Sequence, residues 1–126
     1  MREITIVLKG VPPSLNRTAG RKNVWEYRQT KQQWTNTVYY TCKACKDRPA
    51  APFEKARVEI TYYFPTRVRH DSDNYAGKFL LDGLTMAGVI ADDDFKHISL
   101  TLAGAYDKEN PRTEIKVTEI EKAACR

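Results

Sequence analysis

Several large protein classes are excluded by what this sequence is short of. Its 126 residues hold only three cysteines and two histidines. Three is an odd count, too few for a disulfide framework, and fits a reducing compartment. His70 and His97 have no metal-ligand spacing between them. No apolar run approaches the roughly 20 residues of a membrane-spanning helix. The opening MREITIVLKG lacks the long apolar core of a signal peptide, so the expectation is a cytoplasmic protein without membrane attachment. Without a secretion signal, the sequon Asn16-Arg17-Thr18 carries no weight. There is no glycine-rich phosphate loop, and Ser14 and Ser72 lack a recognisable base and orienter. Repeats, low-complexity tracts and interdomain linkers are missing as well, leaving one domain over residues 1–126.

The composition that remains is that of an ordered globular protein, 41% hydrophobic and 29% charged. Ile4, Ile6 and Leu8 alternate with polar residues and predict a strand. GVPPSLNRTAGRKN then reads as a loop carrying Arg17, Arg21 and Lys22. Trp34, Val38, Cys42 and Cys45 recur at helical spacing and predict a helix over about 27–46. Cys42 and Cys45 form a lone CxxC on that apolar stripe, which reads as core packing. Alternation at Ala56, Val58, Ile60 and Tyr62 predicts a second strand. A second helix is expected over about 73–87, closed by Gly88. Ile98, Leu100 and Leu102, then Ile115 and Val117 after the turn signal KENPR, predict two further strands. The expected fold is a small α/β (α+β) domain with a mixed four-stranded sheet and two main helices.

Charge is distributed unevenly. Lysine and arginine outnumber the acids by 21 to 16, for a net charge of +5. A basic surface attracts a polyanion. Yet RHDSDNYAGKFLLDGLTMAGVIADDDF, residues 69–95, carries Asp71, Asp73, Asp82, Asp92, Asp93 and Asp94. A single aspartate at a helix entrance is an ordinary cap. Two at i and i+2, followed by Asn74 and a later triplet, exceed what a cap needs. Hard cations such as Mg²⁺ take oxygen ligands, with water and substrate phosphate completing the shell. Asn74, Lys78 and Asp82 are four apart and would share one helix face, placing a cation beside the acidic group. A calcium loop is excluded, because Tyr75 and Ala76 fall where a ligand and the turn glycine belong. Trp25, Tyr27 and Trp34 are read as core or interface residues rather than stacking platforms for bases.

PPSLNRT at 12–18, RHDSDN at 69–74, Lys78, the Asp82-Gly83-Leu84 element and the aspartate run at 92–94 together resemble the RusA family of Holliday junction resolvases. The resemblance runs from residue 12 to about residue 98. It implies a Mg²⁺-dependent homodimeric endonuclease, with Mn²⁺ able to substitute. Such an enzyme nicks a four-way DNA junction at symmetric positions in recombination and repair, and family members are often encoded by prophages. It further implies that Asp71, Asp73 and Asp93 are catalytic metal ligands, with Lys78 as the catalytic lysine and Asn74, Asp82 and Asp92 in support. Lys78 stands one residue further from Asp73 than in the family pattern. Asn16, Arg17, Arg21, Lys22, Arg67 and Arg69 are the expected DNA contacts. The alternatives are a Mg²⁺-dependent DNase of other branched-DNA specificity, a non-catalytic DNA-binding module and a small metal-binding interaction protein.

Overall fold

A computed structural model describes residues 2–13, 24–67, 75 and 77–120. Strand β1 (Glu3–Lys9) is followed by helix α1 (Val24–Ala44), strand β2 (Ala56–Phe64), helix α2 (Lys78–Met86), strand β3 (Ile98–Tyr106) and strand β4 (Arg112–Glu119). The sheet order is β1-β4-β2-β3. Strand β4 lies antiparallel to both β1 and β2, while β2 and β3 run parallel, with α2 as their crossover. The expected mixed four-stranded sheet with two helices is the fold observed.

Alternation decides which face of the sheet is buried. Ile4, Ile6 and Leu8 of β1, Val58 and Ile60 of β2, and Ile115 and Val117 of β4 all point into one core. Val38 and Cys42 of α1 and Leu80 and Leu84 of α2 complete it. The α1 stripe read from the sequence is therefore the core stripe, although the helix spans Val24–Ala44 rather than 27–46. Burial pushes the Cys42 thiol up to about 11, with Cys45 adding to the shift, so neither thiolate chemistry nor metal binding is favoured there. No helix among the described residues is long and apolar enough to cross a membrane.

The start of α2 differs from the expectation. The helix begins at Lys78, and Gly77 before it takes a left-handed φ of 82°. The left-handed φ is what favours glycine there, and a Cβ on Gly77 would also lie 2.7 Å from Ile60 Cδ1, which would have to move. The helical spacing of Asn74, Lys78 and Asp82 carried the expected helix back to about Asp73, but the left-handed turn at Gly77 sets its start. Just upstream, the Tyr75 ring packs on Tyr62 and Phe64, at centroid distances of 5.6 and 5.1 Å. At the other end Gly88 (φ 78°) donates to Thr85 O and Val89 to Leu84 O, the paired cap expected at a glycine stop.

The two helices meet very closely. A Cβ on Gly83 would lie 2.5 Å from Val38 Cβ and 2.8 Å from the Thr35 carbonyl oxygen. Buried Thr35 donates its hydroxyl to Phe79 O at 3.2 Å, tying α1 to α2 one turn away. This contact fixes how far apart the polar flanks of the two helices stand.

Candidate active site

Beside that contact the helices open into a cleft of about 550 Å³. Arg28 and Lys31 of α1 line it, as do Asp82 of α2 and Asp92 and Asp93 of the loop that follows. That loop is held at both ends by backbone hydrogen bonds. Phe53 N–H donates to Val89 O at 2.9 Å and Ala91 N–H to Phe53 O at 3.1 Å. Farther along, Ala56 N–H donates to His97 O at 2.8 Å. Val89 and Ile90 are fully buried just before the acidic run. Core packing therefore delivers exposed Asp92 and Asp93 to the rim of the cleft, with exposed Asp94 next in the chain.

Each member of the triplet has a different setting. Asp92 accepts the Asp93 N–H at 2.8 Å. Asp94 accepts the His97 N–H at 3.1 Å and also bonds the His97 ring through Nδ1. That bond holds the Asp94 carboxyl below its usual range and the His97 imidazole above its own. Asp93 behaves in the opposite way. Partial desolvation, then the charges of Asp82 and Asp92, push its carboxyl above the usual range. The opposing cation is weakly engaged, with Lys31 Nζ 3.9 Å from Asp82 Oδ2.

Of the residues singled out by sequence, Asp82, Asp92 and Asp93 are thus brought to one cleft. Lys78 is the first residue of α2, exposed, and one helical turn from Asp82. Arg67 is exposed and stacks over the Tyr106 ring at 4.3 Å, where the parallel pair β2 and β3 ends. Asp71, Asp73, Asn74, Asn16, Arg17, Arg21, Lys22 and Arg69 lie outside the described residues. Three residues escaped the sequence reading. Arg28 and Lys31 precede Asp82 by about 50 positions, and only their i,i+3 spacing on the polar side of α1 marked them as a pair. His97, which has no histidine partner in sequence, joins Asp92 and Asp94 in a group whose ligand atoms lie within 4.8 Å of one another.

The carboxylates lining the cleft are of the type that a hard divalent cation takes as ligands. Asp82, Asp92 and Asp93 offer carboxylate oxygens there, and partial desolvation, then the charges of Asp82 and Asp92, raise the Asp93 carboxyl. Among the described residues, the group whose ligand atoms converge is Asp92, Asp94 and His97, where the imidazole is already bonded to Asp94 and suits softer metals better than Mg²⁺.

Comparison with known proteins identifies a family. A search of curated proteins finds no match. The family model described as Endodeoxyribonuclease RusA matches residues 10–118, which include both helices, all of β2 and β3 and the whole acidic cleft. With a basic chain, an acidic cleft between two helices and a family match over most of its length, this protein belongs to the RusA endodeoxyribonuclease family.

Proposed function

We propose that the protein is a metal-dependent endonuclease that resolves four-way DNA junctions by paired symmetric nicks, acting as a homodimer in recombination and repair. The observation that carries this reading is the crowding of Asp82, Asp92 and Asp93 at one cleft. Three carboxylates held together in a protein of net charge +5 have a use if a cation and a phosphate are to meet there.

In this reading Asp71, Asp73 and Asp93 hold Mg²⁺ or Mn²⁺, while Asn74, Asp82 and Asp92 orient them or share the charge. When bound, the metal would polarise the scissile phosphate and make its attacking water more acidic. The protein's own groups do the remainder. Asp93, whose carboxyl is held above its usual range by desolvation and then by the charges of Asp82 and Asp92, supplies an oxygen donor for that cation. Lys78, exposed at the start of α2, meets the negative charge that develops as the phosphodiester breaks. Arg67 and the basic residues at 16–22 and 69 hold the flanking backbone. A two-fold junction is matched by a two-fold pair of sites, which a C₂ dimer supplies.

The test is cutting of an immobile synthetic four-way junction beside a splayed duplex and a linear duplex, in Mg²⁺ and in EDTA. Paired nicks on the junction alone, absent in EDTA and in Asp73→Asn, are the expected result. Asp73→Asn should still bind the junction, because a negative charge near phosphate has been removed. Cutting of the splayed duplex in preference would move the substrate to another branched DNA. Binding without cutting in Mg²⁺ or Mn²⁺ would reduce the protein to a DNA-binding module.

A further inference from the structure

The acidic rim of the cleft has an opposing basic wall. Arg28 and Lys31 are three apart on α1, and Lys31 and Thr35 are four apart, so all three share one helix face. Thr35 sits where α1 touches α2, with its hydroxyl on Phe79 O. The absence of a side chain at Gly83 brings the two helices together there. The height of Lys31 above Asp82 is therefore set by a rigid contact, not by a loop.

Lys31 is held only loosely. Its ammonium stands 3.9 Å from one Asp82 oxygen, and the two side chains are 44% and 31% exposed. A pair this open and this long contributes little to stability. A lysine ammonium has three donors, and one distant carboxylate oxygen leaves most of that capacity unused. Arg28 lines the same cleft one turn nearer the start of α1.

We infer that Lys31, with Arg28 beside it, contacts a backbone phosphate of the DNA strand lying in this cleft, making α1 a wall of the substrate site. The inference rests on the nuclease reading above. A phosphodiester entering the cleft meets three carboxylates, and their repulsion has to be offset on the side away from them. Arg28 and Lys31 are the described cations lining that side. The cleft, at about 550 Å³, has room for a phosphate group with its counter-charge. Lys31 thus exchanges a weak bond to Asp82 for a charge-assisted one to phosphate, and Asp82 is freed as the strand arrives.

The experiment uses the full-length protein and a synthetic four-way junction. Affinity is measured in EDTA over a range of KCl concentrations, and single-turnover cutting is measured in Mg²⁺. Wild type is compared with Lys31→Gln and Lys31→Arg, each checked for an unchanged melting temperature. Lys31→Gln should lower the slope of log affinity against log salt by about one, the share of a single phosphate contact. It should also slow cutting by about tenfold or more. Lys31→Arg should restore both. A glutamine variant with wild-type slope and rate would overturn the inference, and so would an equal loss in Lys31→Arg, since charge would then not be what matters. A wild type that binds but does not cut would sink the nuclease reading alone, because the salt slope still decides the role of Lys31. A wild type with no affinity for the junction would sink both.

Discussion

At the β3–β4 turn and along the sheet edge, carboxylates face arginines; in the cleft between the helices they face one another. Arg112 reaches Asp107 and Glu114 at 2.7 Å each and lies 3.8 Å over the Tyr63 ring. Arg2 clasps Glu119 through two hydrogen bonds, at 2.8 and 2.9 Å. Both arginines hold their partner carboxyls, Asp107 and Glu119, below the usual range. In the cleft, Asp93 is shifted upward instead, and the ion pair of Lys31 with Asp82 is long. Carboxylates are thus paired with arginines in one region and set beside one another in the other. A carboxyl shifted upward at a core-anchored rim marks a candidate functional site.

Substitutions that remove the same charge should therefore have opposite effects in the two regions. The largest effect is expected from Asp93→Asn. Losing a metal-directed oxygen should cut the single-turnover rate by roughly 100-fold or more, a loss of the size seen when one preorganised charge-stabilising group is removed. Its melting temperature without metal should match or exceed wild type, because like-charge crowding is relieved. A clear drop in that temperature would make Asp93 a structural residue and erase the contrast.

Gly83→Ala should come next, because it acts on the scaffold beneath the cleft. A Cβ 2.5 Å from Val38 Cβ forces the helices apart. The expected cost is about 1–3 kcal/mol, as for other overpacked cores, read as a fall of several degrees in melting temperature. Cutting should decline in parallel, since Lys31 and Asp82 would separate. An alanine variant as stable as wild type would mean that the two helices yield more easily than their contact implies.

The smallest effect is a dependence on pH. Asp107 and Glu119 have depressed carboxyls in the folded protein. Their contribution is fully present above the ordinary carboxylate value of about 4 and is lost as pH falls through their lower folded values. Melting temperature in EDTA should fall in that acid window, and less steeply for Asp107→Asn. An unchanged acid slope in that variant would remove the Asp107–Arg112 pair from the account of stability.

Much of the fold was legible because burial imposes periodicity. Ile4, Ile6 and Leu8, or Val58, Ile60 and Tyr62, can face one core only as strands. The insertion of β4 between β1 and β2 was not legible, since pairing order leaves little trace in a single sequence. The second helix was placed too early because Asn74, Lys78 and Asp82 share helical spacing, whereas the left-handed turn at Gly77 sets its start. For the site, Asp82, Asp92 and Asp93 could be named from their sequence cluster. Lys31 could not, because its relation to Asp82 exists only through the contact of Gly83 with Val38 and Thr35.

The central claim is that the aspartates of the cleft serve catalysis, whereas Asp107 at the β3–β4 turn serves stability. It is tested most directly by assaying Asp93→Asn and Asp107→Asn side by side, for junction cutting in Mg²⁺ and for melting in EDTA. The account predicts that Asp93→Asn loses cutting while keeping its stability, and that Asp107→Asn keeps cutting while losing some stability. If both variants cut like wild type, or if both lose stability alike, the two regions are not divided in this way and the acidic cleft is not the active site.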